Sequence, residues 1–113
     1  MSNTKNKGDL GERIARNYLC RKGYNVITNN YKVPYGEVDI IAKSPDGVFV
    51  FCEVKHYKKN YFLHPLEKIS NGQLKRIYWV AETFMESHEK DLFQVDLIVV
   101  ENNLVVNHFQ NVS

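Results

Sequence analysis

The sequence predicts an α/β fold with the element order α-β-β-β-α-β-β. Two stretches carry apolar side chains at helical spacing, and five others are rich in β-branched and aromatic residues and are bounded by turn-forming residues. No repeat or linker-like tract interrupts them, and 113 residues with 43% hydrophobic composition suit one hydrophobic core. We therefore expect a single domain that spans residues 1–113.

Each of the two predicted helices has one apolar face. The first helix covers residues 9–22 and is ended by Gly23. Its apolar face comprises Leu10, Ile14, Ala15, Tyr18 and Leu19. The second helix begins after Ser70 and Gln73, which form a candidate capping box. Its apolar face comprises Leu74, Ile77, Tyr78, Ala81, Phe84 and Met85.

The predicted strands fall into two groups, one before and one after the second helix. The first group comprises residues 24–30, 38–43 and 48–55, and residues 44–47 (Ser-Pro-Asp-Gly) form a hairpin turn. Asn29 and Asn30 suggest a turn at the end of the first strand. The second group, residues 93–100 and 104–109, forms another hairpin, and residues 56–70 are predicted to be mainly loop.

Composition excludes several classes of protein. No apolar run approaches the ~20 residues that span a bilayer, and the N-terminal residues lack the apolar stretch of a secretory signal, so we expect a cytoplasmic location and no membrane partner. Cys20 and Cys52 are isolated and match no zinc or redox motif. The net charge of +2 is too small by itself to indicate nucleic-acid binding.

The candidate functional residues interrupt the apolar strands of the first hairpin. Asp39 lies in one strand, and Glu53 and Lys55 lie in the other. Because side chains alternate along a strand, Glu53 and Lys55 share one face while Cys52 and Val54 share the opposite face. An acid and a base therefore converge on the same side of the predicted sheet.

The length of the turn sets the register of this hairpin. If residues 45–47 form the loop, Ser44 pairs with Val48, and Asp39 lies directly opposite Glu53. Two opposed carboxylates repel each other unless a cation or a proton lies between them. Oxygen ligands of this kind suit Mg²⁺ or Mn²⁺, which would activate water and stabilise charge on a phosphodiester. The sequence therefore predicts a metal site at Asp39 and Glu53.

The flanking acids and bases have less specific interpretations. The same register places Glu37 opposite Lys55, so Glu37 either pairs with that lysine or acts as an outer acid beside Asp39. Lys55 is predicted to orient water or to stabilise charge on phosphate. The alternative is that Asp39 and Glu53 simply face solvent, with Lys55 as their ion-pair partner, because an isolated E-x-K triplet is common.

Several motifs together resemble a known family. They are Gly8-x-x-Gly11-Glu12-x-x-Ala15-x-x-Tyr18-Leu19, Gly23-Tyr24, Asn30, Gly36-Glu37-Val38-Asp39-Ile40-Ile41-Ala42, Phe51-Cys52-Glu53-Val54-Lys55, and then Lys75, Ala81 and Val95-Asp96. In this order and spacing they resemble the bacterial YraN-like family over nearly the whole chain. That family in turn resembles the PD-(D/E)XK, or restriction-endonuclease-like, superfamily and especially the archaeal Holliday-junction resolvases.

The resemblance implies a mixed β-sheet flanked by helices and a metal-dependent nuclease site. The implied catalytic residues are Glu12, Asp39, Glu53 and Lys55, with Asp39, Glu53 and Glu12 as metal ligands. Glu12 has an equally good interpretation as a helix-start acid that interacts with the helix dipole. The chain departs from the family pattern at Tyr57 and Gln94, where the family often has arginines.

Nucleic acid, in particular DNA, is the predicted partner. The phosphate-binding candidates are Lys58, Lys59, Lys75 and Arg76, and the base-stacking candidates are Tyr57, Tyr61 and Phe62. Trp79 is expected in the core or in an interface. Three functions remain open: a structure-selective or general DNA nuclease; a Holliday-junction resolvase, which needs a symmetric homodimer; or a non-catalytic nucleic-acid-binding or adaptor module.

Overall fold

The computed structural model describes residues 3–57 and 69–112. The elements are α1 (Asn3–Arg21), β1 (Asn25–Val33), β2 (Gly36–Lys43), β3 (Phe49–Tyr57), α2 (Asn71–Phe84), β4 (Phe93–Glu101) and β5 (Leu104–Phe109), with a short 3₁₀ helix at Met85–Ser87 after α2. This order confirms the predicted succession α-β-β-β-α-β-β.

Within the described residues, a five-stranded sheet forms the centre of the molecule. Its strands lie in the order β1-β2-β3-β4-β5. The β3 and β4 strands are parallel, and the other three neighbouring pairs are antiparallel, so the sheet is mixed. The parallel pair requires a crossover connection, and α2 lies within it. The predicted mixed sheet flanked by helices is confirmed.

The two helices cover opposite faces of this sheet. Ile77 and Val80 of α2 pack in one buried cluster with Phe51. Ala15 and Leu19 of α1 pack in another with strand residues that include Cys52, Val50 and Ile98. Neighbouring residues of β3 thus alternate between two cores, as the side-chain period of a strand requires. We call these faces the α2 side and the α1 side.

The first hairpin has the predicted loop. The Ser44 amide donates to the Val48 carbonyl at 2.8 Å, and Gly47 has a φ of +86°. Such a conformation suits glycine, because it lacks the Cβ that makes positive φ costly. The ladder pairs Lys43 with Phe49 and continues as far as Ile40, which pairs with Cys52. The predicted antiparallel register is therefore confirmed.

The first strand is longer than predicted. Asn29 and Asn30 do not form a turn: β1 continues to Val33, and Asn30 adopts a φ of +55° within the strand. Asparagine tolerates this left-handed conformation better than most residues. Pairing resumes on both sides of it, with Asn29 opposite Ile40 and Tyr31 opposite Val38. The expected turn at Asn29–Asn30 was therefore wrong.

The third strand also extends beyond its predicted end. Residues 56 and 57, expected in a loop, continue β3 because they pair with residues 100 and 101 of β4. Tyr57 packs against the α2-side core, and its carbonyl accepts a hydrogen bond from the Asn102 amide at 2.7 Å. Residues 58–68 of the predicted loop, which include Lys58, Lys59, Tyr61 and Phe62, lie outside the described residues.

No helix in the described ranges is long and apolar enough to cross a membrane. Of the α-helices in these ranges, α1 is the longer; it has 19 residues, and most of them are polar.

Substitution by alanine at two helical glycines, Gly11 and Gly72, is expected to change stability in opposite directions. A Cβ at Gly11 would lie 2.9 Å from the Cβ of His56 on β3, which is too close for an ordinary contact. We expect Gly11→Ala to lower the free energy of unfolding by about 1–3 kcal/mol. At Gly72 the nearest atom would be Arg76 Nη1, at 3.6 Å. Gly72→Ala should raise stability by about 0.5–1 kcal/mol, because alanine favours helix.

Urea denaturation of both variants and the wild type would measure these differences. Gly72→Ala is the matched control, since it makes the same chemical change in an open place. A Gly11→Ala variant as stable as Gly72→Ala would show that α1 does not pack tightly on β3.

Candidate metal and nuclease site

A cleft of about 480 Å³ opens on the α2 side of the sheet. It is lined by Lys32, Val33, Pro34, Gly36, Glu37, Asp39, Glu53, Gln73, Arg76 and Ile77. At its edge, a Cβ on Gly36 would lie 3.2 Å from Val80 of α2, so the small residue lets β2 and α2 approach each other. The cleft contains Asp39 and Glu53, two of the three predicted metal-binding carboxylates.

Asp39 bridges the two strands where their backbone ladder ends. One residue beyond the Ile40–Cys52 pair, Asp39 Oδ2 accepts a hydrogen bond from the Val54 amide at 2.8 Å. A side chain thus takes over the role of a strand carbonyl. Val38 packs on the α2 side but Ile40 on the α1 side, so the usual alternation of β2 is broken around Asp39.

The Asp39 and Glu53 carboxyl groups lie close enough for each to change the pKa of the other. Glu53 is only 9% exposed, so little water solvates its charge. Two neighbouring carboxylates repel each other unless a cation or a proton lies between them. The predicted convergence of the two acids is therefore present, and in the absence of a cation the pair retains a proton.

The pKa values of both acids are raised. Burial raises the pKa of Glu53 from 4.5 to about 8, the nearby Asp39 adds to this effect, and the Lys55 ammonium opposes it. Burial also raises the pKa of Asp39, while the hydrogen bond from the Val54 amide opposes the change. Desolvation is the main cause in both cases. A paired, desolvated acid of this kind is typical of a functional site.

Lys55 and Gln73 converge on the same oxygen of Glu53. Lys55 Nζ lies 3.4 Å from Glu53 Oε2, and the lysine side chain remains 24% exposed. Gln73 Nε2 donates a hydrogen bond to Glu53 Oε2 from the first turn of α2. The Lys55 ammonium and the Gln73 side-chain amide together fix the orientation of the Glu53 carboxyl.

Sequence reasoning missed the role of Gln73. It correctly placed Ser70 as the N-cap, since Ser70 Oγ accepts from the Gln73 amide at 3.1 Å. A full capping box would turn the Gln73 side chain back toward Ser70. Instead, that side chain reaches Glu53. A polar residue in the first turn of a helix that follows an E-x-K strand was the available signal.

Glu37 is an exposed residue of the same cleft. In the register of β1 and β2, Glu37 lies opposite Lys32. Its charge contributes to the raised pKa of Asp39. Lys55 makes its ion pair with Glu53, and the β2–β3 ladder ends before Glu37. These positions favour the interpretation of Glu37 as an outer acid over that of a Lys55 partner.

Glu12 lies on α1 and is 9% exposed. Its neighbour Gly11 packs against His56 near the end of β3. Within residues 3–57 and 69–112, no group of three or more His, Cys, Asp or Glu side chains is arranged to hold a metal ion, so Glu12 does not complete such a group with Asp39 and Glu53. A role for Glu12 as a third ligand stays a prediction.

The predicted phosphate-binding residues divide into three groups. Arg76 lines the cleft directly. Lys75 is exposed on α2 and places its Nζ 5.9 Å from the centre of the Trp79 ring. Lys58 and Lys59 fall in the range that the structure does not describe. Arg76 and Lys32 therefore add positive charge to the lining of the cleft, beyond the ammonium of Lys55 beside Glu53.

Another buried acid, Asp96, lies on the α1 side of the sheet, away from the cleft. Asp96 is fully buried and accepts hydrogen bonds from Gln94 Nε2, His108 Nε2 and the Asn111 amide. His108 Nδ1 is in turn bonded to the Tyr18 hydroxyl of α1 at 3.0 Å. This network fastens β4, β5, the C-terminal residues and α1 to one another, which gives Asp96 a structural role.

The fold and the cleft define a mixed α/β protein with a buried carboxylate pair. Residues 11–100 match the family described as "Uncharacterised protein family UPF0102". A UPF0102 protein of Clostridioides difficile is 37% identical over 112 residues, which cover 96% of this chain and 97% of that protein. The UPF0102 protein of Fervidobacterium nodosum is 34% identical, and the match covers 96% of this chain and 83% of that protein. The UPF0102 protein of Campylobacter fetus is 35% identical, and the match covers 94% of this chain and 92% of that protein.

The chain therefore belongs to the UPF0102 family. The YraN-like resemblance drawn from its motifs is confirmed. The family description and the names of these relatives state no activity, so any function rests on the site.

Proposed function

We propose that this protein is a divalent-metal-dependent nuclease that hydrolyses DNA phosphodiesters. The observation that carries the proposal is that Asp39 and Glu53 line one cleft, where each carboxyl influences the other and burial raises the pKa of both. Such an arrangement is unfavourable when both groups are charged, and a divalent cation relieves it. A pair kept only for stability would be better replaced by apolar residues.

The oxygens of Asp39 and Glu53 suit Mg²⁺ or Mn²⁺. Mg²⁺ is usually held by one or two carboxylates together with water and substrate phosphate, so two protein ligands are sufficient. When bound, the ion supplies Lewis-acid stabilisation of phosphate charge and makes water more acidic. Two hydrogen bonds hold these proposed ligands in place. The Val54 backbone amide donates to Asp39, and the Gln73 side-chain amide donates to Glu53.

Lys55 supplies the third part of the proposed mechanism. Its ammonium lies beside Glu53 but is partly exposed, so it can reach a phosphate or a water in the cleft without leaving its partner. There it orients the attacking water or stabilises the charge that develops on the phosphate. Arg76 and Lys32 hold the flanking backbone of the substrate.

Calorimetric titration with Mn²⁺ tests the metal site directly. Wild type should bind the ion, and Asp39→Asn should bind it more than ~10-fold more weakly, because one of two charged ligands is lost. Asp91→Asn is the matched control, since Asp91 lies in the segment after α2 and pairs with His88. Equal affinity in wild type and Asp39→Asn would remove the proposed metal site.

A further inference from the structure

Two large aromatic side chains are exposed beside the cleft. Trp79 is 48% exposed and Tyr35 is 43% exposed. Both line a separate hollow of about 410 Å³ with Glu82, Thr83 and Glu86. The position of Trp79 is not the core position that its apolar character suggests, and an exposed aromatic patch in a monomer often marks a binding surface.

The geometry of this aromatic hollow is fixed by hydrogen bonds. The Tyr35 hydroxyl is bonded to Thr83 Oγ1, and Thr83 Oγ1 donates to the Trp79 carbonyl at 3.0 Å. The turn that carries Tyr35 is therefore attached to α2. Because its hydroxyl is held in this way, the Tyr35 ring loses little conformational entropy when a ligand stacks on it.

The aromatic hollow adjoins the cleft at two points. Tyr35 lies between Pro34 and Gly36, which both line the cleft. Trp79 lies one helical turn after the cleft residue Arg76. A polymer whose backbone follows Arg76 out of the cleft therefore meets these two rings next.

Charge indicates which part of a nucleic acid would enter the hollow. Glu82 and Glu86 line it, and their carboxylates repel phosphate. The neighbouring cations are Lys75, whose ammonium lies over the Trp79 ring, and Arg76, which lines the adjoining cleft. An uncharged base can stack on the rings without repulsion from the two glutamates. Its flanking phosphates can then bind Lys75 and Arg76.

On the basis of the proposed nuclease function, we propose that the aromatic hollow binds an unpaired base of a single-stranded segment that leaves the cleft. Trp79 and Tyr35 provide the stacking surface. Bases in a duplex are already stacked and paired, so they do not reach these rings without unstacking. The substrate class is thus nucleic acid with a single-stranded region next to the cut bond.

The test uses the fact that Trp79 is the single tryptophan of the chain. Its fluorescence is recorded as the wild type is titrated with a short single-stranded DNA, and separately with a blunt duplex of the same sequence, in Ca²⁺ buffer. Single strands should quench the emission more strongly than the duplex does. Quenching reports contact at the ring itself, which a structural role of Trp79 would not produce.

Binding of a labelled strand by anisotropy provides the second readout. Trp79→Ala should weaken single-strand binding by about tenfold, while Trp79→Phe keeps most of the affinity, because a phenyl ring still stacks. Leu104→Ala, which truncates a side chain that is 70% exposed on β5, is the matched control and should bind normally. Duplex binding should be unchanged in all three variants.

The outcomes separate this inference from the nuclease proposal. Cleavage that depends on Asp39, combined with no quenching and with normal strand binding by Trp79→Ala, would overturn the stacking surface and leave the nuclease standing. Quenching by a lysine-rich peptide but not by single strands would also overturn it, because the hollow would then be a site for a basic protein. Quenching by single strands without any cleavage would support the stacking surface while the nuclease proposal fails.

Discussion

Lys55→Ala should lower the rate of DNA cleavage in Mn²⁺ by about 10²–10⁴-fold and leave Mn²⁺ affinity little changed. The reason is a division of labour in the cleft. Asp39 and Glu53 provide the charge that holds the ion, whereas Lys55 acts on water or phosphate during the reaction. Loss of Lys55 removes an interaction that matters most in the transition state, so turnover falls more than metal affinity.

The measurement is a cleavage assay on a panel of four-way junctions, flaps, single strands and duplexes, in DNA and RNA versions. Lys90→Ala, which removes an exposed lysine outside the cleft, is the charge-matched control and should cut like the wild type. Lys55→Ala prepared in parallel also controls for a contaminating nuclease. Equal cutting by Lys55→Ala and wild type would refute the catalytic assignment.

The pattern across the panel decides between the alternatives for function. Symmetrical cuts in four-way junctions would select the Holliday-junction resolvase and its homodimer. Cutting of flaps and single strands would select the broader nuclease. Binding of all substrates without cleavage, by wild type in Mn²⁺, would select the adaptor module.

Without metal, stability should fall as the pH rises from 4.5 to about 8. The pKa of Glu53 is raised over this window, so the folded state binds more protons than the unfolded state throughout it. Each added pH unit then favours unfolding. We expect a loss of roughly 2–4 kcal/mol between the two ends of the window, less than the whole shift implies because Asp39 shares the proton.

Urea denaturation in EDTA across this pH range measures the effect, with Glu53→Gln as the control that removes the titrating group. Other groups titrate in both proteins, so the difference between the two pH profiles isolates Glu53. Saturating Mn²⁺ should raise the stability of wild type most at the upper end of the window, where protons compete least with the ion. Parallel profiles for wild type and Glu53→Gln in EDTA would contradict the raised pKa.

The fold was largely predictable because most of its determinants are local. Ser44 to Val48 form a hairpin whose loop length fixes the register, and this register brings Asp39 to Glu53. The ends of β1 and β3 were less predictable. Asn30 is compatible with either a turn or a left-handed residue within a strand, and residues 56 and 57 become strand because β4, distant in sequence, pairs with them.

The site was predictable where backbone periodicity controls it and unpredictable where tertiary packing does. Alternation along β3 is enough to put Glu53 and Lys55 on one face. The hydrogen bond of Gln73 to Glu53 depends on how α2 crosses the sheet, which no local pattern specifies. The bridge from Asp39 to the Val54 amide depends on the orientation of one side chain where the β2–β3 ladder ends, which was equally invisible in the sequence.

The parallel pairing of β3 with β4 also has a consequence for the order of folding. The β2–β3 hairpin joins segments that are neighbours in the chain, and hairpins of this kind close within microseconds. The β3–β4 pair joins Phe49 to Phe93, and contacts between such distant residues form late because long loops must close first. Asp39 and Glu53 can therefore meet early in a solvated hairpin, whereas the dry environment that raises their pKa values arises only when β4 and α2 dock.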